Sequence, residues 1–74
     1  MARIEKLKDN RFEGNHPNQI NVGYVKKGVL RQVPIVGGYC MVDNLRTSKI
    51  TRIISEKDGV VIFNTMNSTY KLTR

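Results

Sequence analysis

The feature that most constrains the fold of this chain is a series of short β-forming segments in its second half. Val, Ile, Thr, Tyr and Phe, which favour strands, are concentrated in residues 39–42, 49–54, 60–65 and 69–73. Asp, Asn, Gly and Ser, which supply tight-turn conformations, are concentrated in the connections 43–48, 56–59 and 66–68. The pattern predicts an antiparallel β-meander over residues 39–73.

The third strand of this meander, residues 60–65, is apolar at both sets of alternating positions. Val61 and Phe63 fall on one face, and Val60 and Ile62 fall on the other. Such a strand is typical of the centre of a small barrel or of a sheet covered on both sides.

Simple alternation also predicts the faces of the neighbouring strands. In the second strand Ile50 and Ile54 share a face with Arg52, and in the last strand Tyr70 and Leu72 point inward. A sheet of this size leaves open edges, and closure is the usual remedy. We therefore predict an all-β fold, a small SH3-like or OB-like barrel of five to six short antiparallel strands.

The first half is less strongly patterned. Residues 3–12 indicate a strand or an extended arm, and residues 13–18 have the composition of a loop. Alternating apolar residues predict a strand over 20–26, closed by a turn at Lys26-Lys27-Gly28, with extended chain resuming at 29–33. The chain is predicted to be one small β domain, 1–74, in which 1–19 form either an arm and loop or part of the sheet.

The charge of the chain favours a polyanionic partner. Thirteen Lys and Arg residues against six Asp and Glu residues give a net charge of +7. A basic balance of this size is the electrostatic signature of binding to nucleic acid, an anionic membrane surface or an acidic protein face. The alternative is that the charge only maintains solubility.

Several classes of function are disfavoured by what the sequence contains. One cysteine, Cys40, permits no internal disulfide, and with one histidine, His16, it does not complete a four-ligand zinc site. The chain has no glycine-rich phosphate loop, no Ser, His and Asp constellation, no signal-peptide pattern and no apolar run of membrane-spanning length. We therefore expect a cytoplasmic protein that is not an enzyme, with no cofactor, no small-molecule substrate and no membrane contact.

Candidate binding residues are concentrated in the connection 43–49. Basic and hydroxyl side chains beside an Asx turn can donate several hydrogen bonds to a phosphate or carboxylate; these are Arg46, Thr47, Ser48 and Lys49. The alternative is that Asp43 and Asn44 only shape the turn while Thr47 and Ser48 satisfy backbone groups.

Further basic residues extend this candidate site. Lys26 and Lys27 resemble a phosphate-contacting hairpin tip, and Arg31 and Arg52 complete a basic stripe if the front hairpin packs beside the second meander strand. Tyr24 and Tyr39 are candidates for stacking on bases; the alternative is that they are core tyrosines with a solvated hydroxyl. Cys40, in a strand between Tyr39 and Met41, is predicted to be a small core residue and not a reactive thiol.

Part of the chain resembles a known group of proteins. Arg46-Thr47-Ser48-x-Ile50-x-x-Ile53, then Phe63-x-Thr65-x-Asn67-Ser68-x-Tyr70-x-Leu72, is similar to a pattern in short uncharacterised bacteriophage proteins, as is Pro34-x-Val36-Gly37. The resemblance implies a phage product acting in the cytoplasm of a bacterial host, and it supplies no site residues.

Two functional hypotheses follow from the sequence. The first is a non-enzymatic nucleic-acid-binding module that uses a basic loop and strand face. The second is a protein-interaction factor, a phage-encoded modulator of a host protein or a virion component, that binds an acidic protein surface. Both leave open a homo-oligomer.

Overall fold

The computed structural model describes residues 1–9 and 22–74, and this part of the chain forms eight β-strands and no helix. The all-β prediction is confirmed. The strands are β1 (Ala2–Asp9), β2 (Val25–Gly28), β3 (Leu30–Gln32), β4 (Met41–Val42), β5 (Leu45–Arg46), β6 (Ile50–Lys57), β7 (Val60–Thr65) and β8 (Ser68–Thr73).

The strands form two antiparallel sheets. The larger sheet has the order β2-β1-β8-β7-β6, and the smaller has the order β3-β4-β5. Within the described residues the larger sheet does not close into a barrel, because β2 and β6 are its two edges. The first segment of the chain is an interior strand, since β1 pairs with β2 on one side and with β8 on the other.

The connections within β6-β7-β8 follow from their residue types. Asp58 and Gly59 have φ values of 55° and 78°, and two positive values between Lys57 and its partner Val60 are the signature of a type I′ hairpin turn. In the next connection the Thr65 hydroxyl accepts hydrogen bonds from the backbone N–H groups of Asn67 and Ser68, at 3.2 and 3.0 Å. Both connections are therefore fixed by local chemistry.

The prediction of one continuous meander over 39–73 is wrong. Strands β4 and β5 are joined by Asp43 and Asn44 and pair with each other, and β4 also pairs with β3, so both belong to the smaller sheet. The segment 43–48 was predicted as a loop, but its Leu45–Arg46 portion folds back on β4 because two residues suffice for the turn. The meander in the larger sheet begins only at Ile50.

The predicted faces of β6 are also wrong. Its pairing with β7 shifts between Ile50 and Arg52 and again between Ile53 and Ser55, so the strand contains two irregularities of the β-bulge kind. An extra residue in one strand changes which side later residues face. Ile53 consequently packs against the core, whereas Ile54 is exposed.

The predicted turn at Lys26-Lys27-Gly28 is wrong, because these residues lie within β2. The predicted strand over 20–26 is displaced: residues 20–21 lie outside the described residues, and Val22 and Gly23 form a turn before β2. The loop predicted at 13–18, including His16, also lies outside the described residues.

Gly28 has a different role from the one predicted, at the corner where the chain passes from the larger sheet into the smaller one. The Val29 N–H donates to the Asp43 Oδ1 at 2.8 Å, and the Asp43 N–H donates to the Val29 carbonyl at 2.8 Å. A Cβ on Gly28 would overlap the Asp43 carboxylate. The absence of a side chain at Gly28 therefore makes room for the group that ties the two sheets together.

The core lies between the two sheets and is built mainly from aliphatic residues. Phe63 is its largest fully buried side chain, and its ring stacks on Tyr70 with centroids 5.7 Å apart. The other core residues are Ala2, Ile4, Cys40, Val42, Ile50, Val61 and Leu72. In residues 1–9 and 22–74 there is no helix long and apolar enough to cross a membrane.

Candidate functional site

The most distinctive surface is the side of the larger sheet that faces away from the core. Directly paired residues on antiparallel strands project from the same side of a sheet, so the strand registers identify this surface, which we call the outer face. Its residues on β2 and β1 are Val25, Lys27, Arg3, Glu5 and Lys8; those on β8, β7 and β6 are Thr69, Lys71, Thr73, Val60, Ile62, Asn64, Arg52, Ser55 and Lys57.

The outer face carries a large excess of positive charge. Its only acidic residue among those paired in the described strands is Glu5, which bonds Arg3 at 3.2 Å. Its six cations span every strand except β7: Arg3, Lys8, Lys27, Arg52, Lys57 and Lys71.

Two of these cations lie directly opposite each other. Arg3 pairs with Lys27 across β1 and β2, and like charges in that position are unfavourable for folding. Glu5 compensates only in part, because it also lies opposite Lys71. The positive charge of the outer face is therefore not an arrangement that optimises stability.

The centre of the outer face is apolar. Val60 and Ile62 on β7 are half-buried, in contrast to Val61 and Phe63 on the opposite face, which are buried. The flanking strands cover these two side chains only in part, which leaves an apolar strip between cations on β8 and on β6.

A second region is a groove beside the β4-β5 hairpin. It has a volume of about 300 Å³ and is lined by Gly37, Gly38, Tyr39, Arg46, Thr47, Ser48 and Lys49. The Arg46 guanidinium carbon lies 5.3 Å from the centre of the Tyr39 ring, a cation–π geometry. The structure thus brings together four of the residues predicted for the basic loop and one of the two predicted stacking tyrosines.

The Thr47 side chain forms hydrogen bonds with backbone groups that border this groove. It is buried, and its hydroxyl accepts a hydrogen bond from the Cys40 N–H and donates one to the Ser48 carbonyl, both at 3.0 Å. Of the two interpretations of this residue, the satisfaction of backbone groups is the one observed. Arg46 and Lys49 remain exposed.

The remaining predicted residues are distributed over several surfaces. Lys26 lies opposite Ile4, on the other side of β2 from Lys27, and with Arg31 it lines a notch of about 550 Å³ beside Met41, Asp43 and Asn44. Lys27 and Arg52 lie on the outer face, at its two opposite edges. Tyr24 precedes β2, and its carbonyl accepts a hydrogen bond from the Lys6 N–H at 3.0 Å.

Sequence reasoning missed four of the cations of the outer face, namely Arg3, Lys8, Lys57 and Lys71. The signal that could have found some of them is alternation with period two. Lys71 alternates with the buried Tyr70 and Leu72, and Arg3 alternates with the buried Ala2 and Ile4. Each strand adds only one or two charges, so the face becomes visible only when the registers are known.

Cys40 is buried in the core, and burial raises the pKa of its thiol from 9.0 to about 11, against the lowering effect of the Arg74 charge. At pH 8 we expect the folded protein to react with a thiol reagent at least about 100-fold more slowly than the urea-unfolded chain, because the thiolate population falls tenfold per pKa unit. Equal rates in the two states would contradict this burial.

The raised pKa of the Cys40 thiol also predicts that the stability of the fold depends on pH. Because the folded-state pKa lies above 9.0, the stability contributed by Cys40 is fully present below about pH 9 and is lost as the pH rises toward 11. The free energy of unfolding of the wild type should therefore fall by about 2 kcal/mol more than that of Cys40→Ala over this range. The Cys40→Ala variant is the control because the Tyr70 hydroxyl, whose pKa burial also raises, titrates in both proteins.

Comparisons with protein-family models, with curated proteins and with solved structures found no match to this chain. Two surfaces of the described residues are the candidate binding sites. One is the basic outer face of the larger sheet, and the other is the groove beside Tyr39 and Arg46.

Proposed function

We propose that this protein is a non-enzymatic nucleic-acid-binding module whose outer face contacts the phosphate backbone. The observation that carries the proposal is the composition of that face, with six cations and one acidic residue at paired positions. Lys and Arg side chains on one surface are the recurrent means of neutralising phosphates.

The dimensions of the outer face suit several phosphates at once. Strands in a sheet lie about 4.8 Å apart, so the edge strands that carry Lys27 and Arg52 are separated by roughly 19 Å. Along the axis of a duplex, where each strand carries one phosphate per about 3.4 Å, this distance corresponds to about five or six phosphates of one strand. A backbone crossing the sheet would therefore meet cations on β2, β1, β8 and β6, but not on β7.

We also propose that the two sheets belong to a partly open barrel of SH3-like or OB-like type. The support is the corner at Val29, where β2 in the larger sheet continues directly into β3 in the smaller one. Strands that pass from one sheet to another by a sharp bend are a feature of orthogonally packed β-structures. In this arrangement the outer face remains open to solvent.

Fluorescence anisotropy with labelled single-stranded and duplex oligonucleotides tests the proposal. We expect binding at low salt, with log K falling against log salt with a slope of about −4 to −5 if all six cations act. Lys27→Gln should weaken binding and lower that slope by about 1. The matched control is Lys26→Gln, which removes the same charge from the adjacent residue on the opposite side of β2.

A stability measurement separates loss of binding from loss of folding. Lys27→Gln removes a positive charge directly opposite Arg3 in the strand register, so we expect its free energy of unfolding to be unchanged or higher by a few tenths of a kcal/mol. Weaker binding without weaker folding supports the outer face. No binding at tens of micromolar protein in low salt, or equal effects of Lys26→Gln and Lys27→Gln, would contradict it.

A second candidate function is supported by an exposed apolar segment between β3 and β4. Val33, Ile35 and Val36 are 39%, 52% and 56% exposed, and exposed apolar clusters with neighbouring charges are typical of protein-interaction sites. In this alternative the chain is a protein-interaction factor, a phage-encoded modulator of a host protein or a virion component, that binds an acidic protein surface. This alternative predicts that oligonucleotides bind weakly. It also predicts that the wild-type chain retains a specific protein partner in a pull-down from host lysate and that the Ile35→Asp variant does not.

A further inference from the structure

We propose that the groove beside the β4-β5 hairpin binds one unpaired nucleotide, with the phosphate on Arg46 and Lys49 and the base on Tyr39. This inference rests on the proposed nucleic-acid-binding function and specifies its substrate class. The outer face contacts the backbone of either duplex or single strand, whereas the groove selects single-stranded chain.

The chain next to the aromatic platform of the groove is held in place by two hydrogen bonds between Cys40 and Thr47. The Thr47 N–H donates to the Cys40 carbonyl at 2.9 Å, and the Cys40 N–H donates to the Thr47 hydroxyl at 3.0 Å. These bonds extend the β4-β5 ladder by one residue pair and fix the chain next to Tyr39. Tyr39 as a whole residue is 38% exposed, so part of its surface is available for contact.

Every polar side chain that lines the groove can donate a hydrogen bond, and no acidic side chain is among its lining residues. Within residues 1–9 and 22–74, the Arg46 guanidinium, the Ser48 hydroxyl and the Lys49 ammonium have no hydrogen bond or ion pair. Two cations beside a hydroxyl form an environment that suits a phosphate group.

Arg46 can serve the phosphate while it stays on the ring. A guanidinium is planar, stacks on an aromatic face and still presents N–H groups at its edge to phosphate oxygens. The contact of the Arg46 guanidinium with the Tyr39 ring at 5.3 Å therefore orients the guanidinium and leaves its N–H groups available to a phosphate. Lys49, at the other end of the same lining segment, supplies a second charge.

The remaining wall of the groove is formed by the backbone of Gly37 and Gly38, so no side chain projects from it. The Gly38 N–H donates to the Ile35 carbonyl at 2.9 Å, and Gly37 has a φ of 90°, a conformation that L-residues rarely adopt. The Gly37 N–H in turn donates to the Ile50 carbonyl at 2.8 Å, which anchors the turn to β6. A flat wall without side chains allows a sugar or base to approach the Tyr39 ring.

The presence of an aromatic platform beside the cations determines which form of nucleic acid the groove accepts. In a duplex each base is stacked between its neighbours, whereas an unpaired base is free to stack on a side chain. Phosphate contacts alone do not discriminate between the two forms. The Tyr39 ring is the part of the groove that discriminates between single-stranded and duplex nucleic acid.

The test compares the ratio of Kd values for a 12-base oligothymidylate and a 12-base-pair duplex. We expect Tyr39→Leu to weaken single-strand binding by about tenfold and to leave duplex binding within a factor of two. Tyr39→Phe keeps the ring and should restore the wild-type ratio. The matched control is Tyr24→Leu, since Tyr24 is 39% exposed and lies outside the groove.

Arg46→Lys provides a second variant that keeps the charge and removes the planar group. We expect it to lower single-strand affinity by several-fold and duplex affinity by less. Backbone amide shifts on titration of the wild type with thymidine monophosphate should be largest at Tyr39, Arg46, Ser48 and Lys49.

The outcomes separate the two proposals. Duplex and single-strand binding that respond to Lys27→Gln but not to Tyr39→Leu would overturn the groove and leave the outer face standing. Shifts at the groove with thymidine monophosphate but no oligonucleotide binding would overturn the outer face and leave the nucleotide site. Equal effects of Tyr39→Leu and Tyr24→Leu would overturn the assignment of the groove.

Discussion

Replacing Gly28 with Ala is expected to destabilise the protein by about 2 to 3 kcal/mol. The new Cβ would occupy the position of the Asp43 carboxylate, so the carboxylate must move and give up its bond to the Val29 N–H. A hydrogen bond to a charged group contributes about 1.5 to 3 kcal/mol. Urea denaturation measures the loss as a lower transition midpoint with little change in its slope.

A double-mutant cycle with Asp43→Gly identifies the cause. Asp43→Gly removes the carboxylate and also relieves the positive φ of 51° at this position. In the Asp43→Gly background the Gly28→Ala change should cost less than about 1 kcal/mol, because no carboxylate remains to be displaced. An equal cost in both backgrounds would show that the contact between Gly28 and Asp43 is not what constrains the corner.

Phe63→Ala is expected to be the most destabilising single truncation in the core. Phe63 is fully buried, is paired with Ile53 on one side and Tyr70 on the other, and stacks on the Tyr70 ring. Removing a buried Phe side chain costs about 3 to 5 kcal/mol. Because domains of this size are at the low end of the usual stability range, we expect circular dichroism to show a largely unfolded variant at 25 °C.

The control for this prediction is the neighbouring residue on the same strand. Ile62 lies on the outer face and is half-buried, so Ile62→Ala should cost only about 1 kcal/mol. A similar cost for the two truncations would mean that both faces of β7 are equally packed, which contradicts the one-sided core described above.

The sequence was most informative where local chemistry determines structure. The predicted strand 60–65 coincides with β7, and the turn at Asp58-Gly59 lies within the predicted connection. The inward positions of Tyr70 and Leu72 are likewise confirmed. In each of these cases the alternation of side chains or the preference of a turn residue acts over a few residues of the chain.

Features that depend on contacts between distant residues could not be predicted in this way. The irregularities in β6 have no residue signature, and they reverse the faces expected for Ile53 and Ile54. The role of Gly28 depends on Asp43, fifteen positions away, so its glycine was interpreted as a turn residue. Leu45–Arg46 is too short to register as a strand by composition.

The candidate site was predicted in part. The groove gathers Tyr39, Arg46, Ser48 and Lys49, which were proposed from residue type. The outer face was not predicted as a unit, because its charges lie on four strands and share a surface only through the pairings β2-β1, β1-β8, β8-β7 and β7-β6. Net charge indicates that cations are in excess, but the register determines which of them share a surface.

The irregular pairing of β6 also bears on how copies of this protein behave at high concentration. β6 is an edge of the larger sheet, and a straight, eight-residue edge strand offers its backbone groups as a template for another chain. Bulges and exposed Lys or Arg side chains are the devices that natural sheets use to block such pairing. β6 has both, since it carries Arg52 and Lys57 along a twice-interrupted edge. We therefore expect the irregularities that reverse the predicted faces of β6 also to disfavour its pairing with the edge of another copy.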